Sequence, residues 1–413
     1  MTDAFILGGV RTPVGRYGGS LSHLRTDDLL GQTMVAACER VGVPLDRIED
    51  ISAGCVNVAH EGMGDIARWG ALAAGFPDSV PAVTVNRFCA SSLTGAISIS
   101  HAIRSNELEV GLAAGVESMS RSGWAQMKGD APFSPRGPIF LLDTMWSGAG
   151  GPPNPVLLAR NAYVDMIKTA QNVADRYKLT REEIDAFALR SHRHAAAARD
   201  SGRLAAEIHP VGIPGTRKEP ARTFEHDEMI RGDTTAELLA KLPAQPNTTQ
   251  MTAGNSSPLS DGASAVVLAS DTAVKSLGVE PLARVVASAT YALDPEFMGI
   301  APAFAIPKAL ARAGLAPQDV DIWEVHEAFA AQALGVLHEL RNQLNGFDVP
   351  DDRLNPNGGA VAIGHPFGSS GTRYVLTLAT ELRLRKLRYG VLGVCVGSGQ
   401  GVALVLENPE LAA

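Results

Sequence analysis

The feature that most constrains the fold is a succession of short apolar segments and helical patterns that occurs twice. In the first third, AFILGGV is followed by a helical DDLLGQTMVAACERVG, by DISAGCV, by the segment around Cys89 and by EVGLAAGV. In the last third, PLARVVASAT is followed by a helical PAFAIPKALARAGL, by VDIWEV, by a helix from His326 and by YGVLGVCVGSGQGVALVLE. Corresponding segments lie about 270 to 280 residues apart. Strands that alternate with helices in this way predict an α/β fold with buried parallel strands, built from two similar halves.

The stretch between these halves, from about Arg121 to Pro258, has a different character. It contains SPRGPIF, SGAGGPPNPV, a helical AFALRSHRHAAAARDSGRL and the charged KEPARTFEHDEMIRGD. Such an insertion predicts a lobe of long loops where ligand contacts collect, and an insertion without function is the alternative. We therefore divide the chain into a first half at 1–120, completed by about 259–280, an inserted lobe at 121–258 and a second half at 281–413.

The composition argues against several classes of protein. A net charge of -8 without any block of Lys and Arg argues against nucleic-acid binding. Four cysteines far apart, without a C-x-x-C pair, argue against a zinc site or a disulfide framework and favour a reducing compartment. The first residues run directly into a strand-like stretch, and no apolar run reaches the roughly 18 residues that cross a bilayer. We expect a cytoplasmic protein with no metal site and no membrane span.

The first candidate for chemistry is Cys89, in TVNRFCASSLTGA, where a strand pattern gives way to small residues that begin a helix. The thiolate is the nucleophilic form of cysteine, and both a helix N-terminus and a neighbouring base make it more available. Small buried cysteines are also common in protein cores, so a structural role is the alternative.

Two further candidates lie in glycine-rich stretches of the second half. His365, in AIGHPFGSSG, is predicted to face a turn, where it could act as the general base that a nucleophilic cysteine requires. Cys395, in VLGVCVGSGQG, follows a strand and could give and take a proton. A phosphate loop at GSGQG is disfavoured because the strand–helix fingerprint has a different spacing.

His326 directly follows the strand pattern of DIWEV and opens HEAFAAQALGVL. Apolar residues from Phe329 to Leu337 recur at helical spacing, which predicts that His326 and Glu327 stand at the N-terminus of a helix, outside its apolar stripe. An imidazole there could donate a hydrogen bond to a developing oxyanion. The alternative is a polar residue that only begins the helix.

Taken in order, VNRFCASSLTGA, GLAAGVESMSR, TAGNSSPLSDGASAVVLAS, HEAFAAQ, NPNGGAVAIGHPFGSSGTR and CVGSGQG resemble the motifs of the thiolase family. The resemblance extends over essentially the whole chain. It implies two similar βαβαβαββ halves in a layered α/β core, with a loop lobe inserted in the first half.

The resemblance also implies roles for the residues of the site. Cys89 would be acylated and His365 would activate it, while Cys395 would move the proton to and from the acetyl-CoA methyl group. His326 and Cys395 would stabilise the enolate oxygen, and the backbone N–H groups of Cys89 and Gly397 would hold the thioester oxyanion.

Coenzyme A and acyl-CoA would be substrates, with no permanently bound cofactor. By the resemblance, the pantetheine arm would pass Ser257, and Arg231 and Met166 match positions of the family's CoA-binding lobe. The family further implies a homodimer or homotetramer, a form also favoured by sheet edges that are left open.

The chain departs from biosynthetic acetoacetyl-CoA thiolases, many of which carry Asn where this chain has His326. Its DMIKTAQN differs from the H-M-G-T-T-A-E-N of such members at Asp165 and Lys168, and MWSGAGGPPNP matches none of the motifs. These differences favour thiolytic cleavage of 3-ketoacyl-CoA, as in fatty-acid β-oxidation, over condensation of two acetyl-CoA. A non-catalytic acyl or sterol carrier is a further alternative, whereas Cys395 argues against a ketoacyl synthase.

Overall fold

The computed structural model describes residues 2–58, 60–126, 141–144, 154–215, 217 and 220–412. Its strands are β1 (Ala4–Arg11), β2 (Gly15–Arg16), β3 (Asp50–Gly54), β4 (Ala82–Val85), β5 (Val110–Ser118), β6 (Trp124–Ala125), β7 (Leu142–Asp143), β8 (Val211–Ile213), β9 (Arg222–Phe224), β10 (Ser260–Ser270), β11 (Ala283–Ala292), β12 (Ile322–Val325), β13 (Tyr389–Val396) and β14 (Gln400–Glu407). The α-helices of the described residues are Thr26–Val41, Ile66–Ala73, Ser91–Arg104, Pro155–Ala159, Met166–Tyr177, Arg181–Asp200, Ala236–Ala240, Asp271–Leu277, Pro302–Ala313, Ala330–Gln343, Ala360–Ile363 and Phe367–Arg385.

One large mixed sheet joins the two ends of the chain. Its strand order is β12-β13-β14-β11-β1-β10-β5-β3-β4, and β2 pairs with β10 away from this path. Outward from the antiparallel β1–β11 junction, the order β1-β10-β5-β3 is matched by β11-β14-β13-β12. The two similar halves are therefore visible as one strand order used twice.

The expectation of parallel strands holds for only part of this sheet. The pairs β3–β4, β3–β5 and β12–β13 are parallel. By contrast, β10 is antiparallel to both of its neighbours, β1 and β5. In the same way, β14 is antiparallel to β11 and β13. The sheet is mixed for this reason.

Helices lie in layers against this sheet. Helix Thr26–Val41 packs on the outer side of the first half, and helices Pro302–Ala313 and Ala330–Gln343 pack on the outer side of the second half. Helices Ser91–Arg104 and Phe367–Arg385 contact each other and strands of both halves. These two central helices bring the halves together, and both begin at the candidate site.

The central helices approach each other closely at a glycine. A Cβ atom placed on Gly371 would lie 2.1 Å from the backbone nitrogen of Leu93, so a side chain at this position would force the helices apart. Close packing of this kind fixes where each helix begins.

The inserted lobe contributes helices Met166–Tyr177 and Arg181–Asp200. Asp165 caps the first by accepting a hydrogen bond from the N–H of Ile167, and Thr180 begins the second in a capping box with Glu183. The segment SPRGPIF and most of MWSGAGGPPNP lie outside the described residues. After the lobe, β10 pairs with both β1 and β5. The limits assigned to the three segments remain a prediction.

Candidate active site

Cys89 lies in a tight turn between β4 and helix Ser91–Arg104. Phe88 adopts a positive φ of 45°, an uncommon conformation for a side chain of this size. The turn is held by Ser91 Oγ, which accepts from the N–H of Arg87 at 2.9 Å and donates to the carbonyl oxygen of Phe88 at 2.6 Å. The strand-to-helix setting predicted for Cys89 is confirmed in the structure.

The thiol of Cys89 is held in its protonated form by its surroundings. Burial raises its pKa to about 12, and the negative charge of Glu117 acts in the same direction. The backbone N–H groups of Gly397 and of Cys89 itself oppose this by favouring the thiolate. A sulfur in this position needs a base before it can act as a nucleophile.

His365 lies between helices Ala360–Ile363 and Phe367–Arg385, in a turn as predicted, but its side chain is buried rather than exposed. Its Nδ1 lies 2.6 Å from Ser370 Oγ, which itself donates to the carbonyl oxygen of Pro366 at 2.9 Å. Since a serine hydroxyl has one proton, Nδ1 must be the donor, and Nε2 keeps its lone pair. Nε2 has no hydrogen-bond partner within the described residues.

The environment of His365 keeps the imidazole neutral. Burial lowers its pKa well below the ordinary value, with further lowering from His326 and from the positive charge of Arg373. A neutral imidazole with a free Nε2 has the form that a general base requires.

Cys395 and His326 form a pair beside this base. The sulfur of Cys395, on β13, lies 3.3 Å from Nδ1 of His326, and the rings of His326 and His365 are 4.2 Å apart between centroids. Burial lowers the pKa of His326 to about 3, with Arg373 acting in the same direction. Burial raises the pKa of Cys395 well above its ordinary value, and so does the charge of Cys89, while the N–H of Ala328 opposes the rise.

The predicted start of the helix after β12 is wrong by four residues. The helix begins at Ala330, and the N–H of His326 instead donates to the carbonyl oxygen of Gly393 at 2.9 Å, continuing the strand ladder. The N–H of Ala328 is satisfied by the side chain of Gln332 at 3.0 Å. These bonds keep residues 326–329 out of the helix, and the imidazole of His326 lies beside Cys395.

Gly397 begins the turn that joins β13 to β14. The following residues, Ser398 and Gly399, have positive φ angles of 62° and 79°. The Cβ position of Gly397 lies 3.4 Å from the ring of Phe88, which brings this turn against the turn of Cys89. The structure therefore gathers Cys89, Gly397, Cys395, His326 and His365 into one group.

Two carboxylates that the sequence analysis did not single out support this group. Glu117, near the end of β5, accepts hydrogen bonds from the N–H groups of Val56, Asn57 and Gly368. Burial raises its pKa to about 7. It thereby ties the turn after β3 to the turn that carries His365. An acidic residue inside the otherwise apolar GLAAGVES was the signal that could have revealed it.

Glu327, next to His326, has a similar role. It accepts from Ser191 Oγ at 2.6 Å and from Asn355 Nδ2 at 2.7 Å. Both partners lie on other elements, so this carboxyl group fixes the segment that carries His326 against the inserted lobe.

The three residues proposed for coenzyme A are placed differently. The N–H of Ser257 donates to the carbonyl oxygen of Ala328 at 3.0 Å, which ties this residue to the site. Arg231 is exposed, and its N–H donates to Nδ1 of His192 at 3.2 Å. Met166 opens helix Met166–Tyr177. No described contact links Arg231 or Met166 to the group around Cys89.

Within the described parts of the chain, no group of three or more His, Cys, Asp or Glu side chains is placed to hold a metal ion. No helix among the same residues combines the length and the apolar character needed to span a bilayer.

Comparison with known protein families shows to which family the chain belongs. A family model described as "Thiolase, N-terminal domain" matches residues 4–272, and one described as "Thiolase, C-terminal domain" matches residues 279–408. The chain belongs to the thiolase family. Coenzyme A is a substrate of this family and not a permanently bound cofactor.

Characterised thiolases are similar over their whole length. The 3-oxoadipyl-CoA/3-oxo-5,6-dehydrosuberyl-CoA thiolase of Escherichia coli K12 is 42% identical over 413 residues, covering 99% of this chain and 100% of that protein. The beta-ketoadipyl-CoA thiolase of Pseudomonas aeruginosa is 43% identical over 408 residues, covering 98% and 99%. The similarity to proteins named as thiolases of CoA thioesters thus extends over nearly their whole length.

Solved thiolase structures share the fold. The acetyl-CoA acetyltransferase of Bacillus anthracis superposes with a TM-score of 0.89 at 37% identity, covering 99% of both chains. The human mitochondrial 3-ketoacyl-CoA thiolase in complex with CoA gives a TM-score of 0.88 at 35% identity, covering 98% of both. The thiolase fold expected from the sequence is confirmed.

Proposed function

We propose that this thiolase cleaves a 3-ketoacyl-CoA with coenzyme A, giving acetyl-CoA and a shortened acyl-CoA through an acyl group on Cys89. The observation that carries the proposal is the grouping of five residues. The N–H of Gly397 is bonded to Cys89, Cys89 interacts electrostatically with Cys395, Cys395 contacts His326, and the ring of His326 contacts that of His365. Nucleophilic acyl transfer needs a thiol, a neutral base and donors for an oxyanion, and this group contains all three.

In the first step, Nε2 of His365 takes the proton of Cys89, and the thiolate attacks the 3-keto carbon. The bond between carbons 2 and 3 breaks, so that the electron pair leaves with the acetyl-CoA fragment as an enolate. The N–H groups of Cys89 and Gly397 would hold the oxygen on the carbon under attack, which is the task of an oxyanion hole.

In the next steps the enolate takes a proton from Cys395, and His365 passes the proton of Cys89 on to the thiolate of Cys395. The neutral His365 then takes the proton of the coenzyme A thiol, whose sulfur attacks the acyl group on Cys89, and the Cys89 thiolate that leaves recovers a proton from His365. When the thiol of Cys395 donates to Nδ1 of His326, Nε2 of His326 carries the ring proton and can donate to the enolate oxygen. This Nε2 is buried without a partner among the described residues, as expected for a donor that awaits a ligand.

The names of the relatives point to a specific acyl group. Several relatives at 41–43% identity are named beta-ketoadipyl-CoA thiolase, so we propose 3-oxoadipyl-CoA as the preferred substrate, ahead of the straight-chain 3-ketoacyl-CoAs of β-oxidation. The printed name of a further relative, acetyl-CoA acetyltransferase at 39% identity, keeps condensation of two acetyl-CoA as the second candidate.

A substrate panel tests the proposal. Release of acetyl-CoA is followed with 3-oxoadipyl-CoA, acetoacetyl-CoA and a long straight-chain 3-ketoacyl-CoA, each with coenzyme A, and the Cys89→Ser variant is the control. We expect the highest kcat/KM with 3-oxoadipyl-CoA. Binding without turnover of any thioester would instead indicate a carrier and contradict the proposed activity.

We further propose that Ser257, Arg231 and Met166 contact coenzyme A, that the protein acts in the cytoplasm and that it works as a homodimer or homotetramer. The open sheet edge supports the last point. Val83 on β4 is 49% exposed, and Trp69 and Leu72 on the adjoining helix Ile66–Ala73 are 48% and 41% exposed. Apolar side chains beside an unpaired strand are typical of a surface that pairs with a second copy.

A further inference from the structure

A second buried cluster lies directly behind His326, on β12 and on the central helix Phe367–Arg385. The guanidinium carbon of Arg373 lies 3.8 Å from the ring centroid of Tyr374. The ring of Tyr374 meets that of His326 edge-on at 5.5 Å, and His326 in turn meets His365 at 4.2 Å. The guanidinium of Arg373, the ring of Tyr374 and the two imidazoles of the site therefore form a continuous series of contacts.

Arg373 is buried on the helix Phe367–Arg385. Its Nε and Nη2 atoms have no hydrogen-bond partner, and it forms no ion pair, within the described residues. Both carboxyl oxygens of Glu324, on β12, are also buried without partners there. Burial raises the pKa of Glu324 to about 8, against the pull of Arg373. Burial thus favours the neutral form of this carboxyl group, which makes no hydrogen bond to Arg373 within the same residues.

The neighbouring carboxylates form ion pairs with other arginines. Glu207 and Asp227 pair with Arg11, Glu207 and Glu381 pair with Arg203, and Glu381 also pairs with Arg385, whose side chain is 44% exposed. None of these ion pairs includes Arg373, so its guanidinium acts on Glu207 only at longer range.

The groups that titrate or carry charge around Arg373 and the two histidines come from several elements. They are Glu324 on β12, Glu327 after it, Glu207 in the inserted lobe, Tyr374 and Glu381 on the helix of Arg373, Cys395 on β13 and Cys89. Within this set Arg373 acts on both imidazoles in the same direction, and it lowers the pKa of each.

We propose that Arg373 is a positioning residue for charge in the active site: its buried guanidinium, stacked on Tyr374, holds His326 and His365 neutral and favours the negative charge that forms on sulfur and on the enolate oxygen. A fixed positive charge in a dry site stabilises an anion far more than it would in water. The inference rests on the proposed thiolase chemistry and adds a residue that touches neither substrate nor reacting atoms.

The test compares Arg373→Met, which removes the charge, with Arg373→Lys, which keeps it. Acetylation of Cys89 by acetyl-CoA, measured by intact mass, counts the working sites, and exchange of the acetyl-CoA methyl protons with deuterated water is then expressed per acetylated site. We expect exchange to fall about tenfold or more in Arg373→Met and to recover largely in Arg373→Lys. The KM for acetyl-CoA should stay unchanged.

The pH profile of exchange gives a second readout. Loss of the positive charge raises the pKa of both imidazoles, so the acid limb of the profile should move to higher pH by about one unit in Arg373→Met and stay in place in Arg373→Lys. Exchange per working site within twofold of the unmodified protein, or an equal loss in both variants, would overturn the proposal.

If Arg373→Met fails to fold, the double variant Glu324→Gln/Arg373→Met removes both unpaired groups and is compared with Glu324→Gln alone. The same tenfold difference is expected, because Glu324 makes no hydrogen bond to Arg373 among the described residues, and equal rates would overturn the proposal. Failure of the proposed function would be recognised separately, since the unmodified protein would then show neither acetylation nor exchange.

Discussion

The two halves place different chemistry at equivalent positions of the same fold. Cys89 and His365 each stand two residues before a central helix, the first before Ser91–Arg104 and the second before Phe367–Arg385. One half thus presents the proposed nucleophile, and the other presents the proposed base at the corresponding helix start. Because the two helices pack against each other, their beginnings meet, and a single site forms across the halves.

The strands that lead into this site show the same contrast. Glu117 on β5 and Cys395 on β13 are both the penultimate residues of their strands, and each pairs with a glycine, Gly262 and Gly401. The carboxyl group of Glu117 accepts hydrogen bonds from three backbone N–H groups, whereas the thiol of Cys395 contacts His326. At this position the first half has a carboxyl group that is bonded to the backbone of two neighbouring turns, whereas the second half has the thiol proposed to transfer protons.

The largest effect should follow from removing the nucleophile of the first half. We expect Cys89→Ser to lower the thiolysis rate by on the order of 10⁴–10⁶-fold, because every covalent step passes through this sulfur. Intact mass after brief incubation with acetyl-CoA should show an acetyl adduct that disappears in the variant. An adduct that maps to Cys38 or Cys55 would refute the assignment.

A smaller loss of activity is expected when the thiol of Cys395, in the second half, is removed. Cys395→Ala should still accept acetyl on Cys89, since Cys89 and His365 remain. It should fail to exchange the methyl protons of acetyl-CoA, a loss of roughly 10²–10⁴-fold for a positioned acid or base. Both are measured on one preparation. Exchange at the unmodified rate would mean that another residue, His365 first, removes the proton.

A substitution of Glu117 should change mainly the stability of the folded protein. The pKa of Glu117 is raised in the folded state, so its contribution to stability is full below the ordinary carboxyl pKa and is lost as the pH rises through about 7. Glu117→Gln should therefore reduce the fall in Tm between pH 5 and pH 8 by a few degrees, with about a tenfold loss of activity. Thermal melts across this pH range test the prediction. Glu39→Gln, at an exposed site, is the control and should leave the pH dependence unchanged.

The smallest effect on the reaction is expected at the outer edges of the sheet, where the halves differ again. The edge strand β12 is fully buried, whereas β4 is partly exposed. A charge at Val83→Lys should weaken pairing between copies and shift the mass in light scattering toward 43.3 kDa. Val156→Lys, at an exposed site of the inserted lobe, is the control. A particle of 43.3 kDa in the unmodified protein would contradict the expected oligomer.

Much of the local structure could be predicted from the sequence. The apolar runs of β1, β5, β13 and β14 and the amphipathic pattern of helix Thr26–Val41 lie where the sequence placed them. The start of the helix after His326 was predicted wrongly. The N–H of His326 donates to the carbonyl oxygen of Gly393 and the N–H of Ala328 donates to the side chain of Gln332, which keeps these residues out of the helix despite their helical spacing. Glu324 and Arg373 were not found, since nothing in their local pattern shows which charges become buried. Glu117 was overlooked, although it is an acidic residue inside the otherwise apolar GLAAGVES.

The sequence by itself determined the family, the two α/β halves and the motifs around Cys89, His326, His365 and Cys395, because short-range periodicity and glycine-rich turns are written in consecutive residues. Only the tertiary structure decided which ring nitrogen of His365 is free and how His326 reaches Cys395. It also decided that Arg373 is buried and forms no ion pair among the described residues. Hydrogen-bond geometry and desolvation depend on groups brought together from distant parts of the chain, and a linear pattern does not contain those distances.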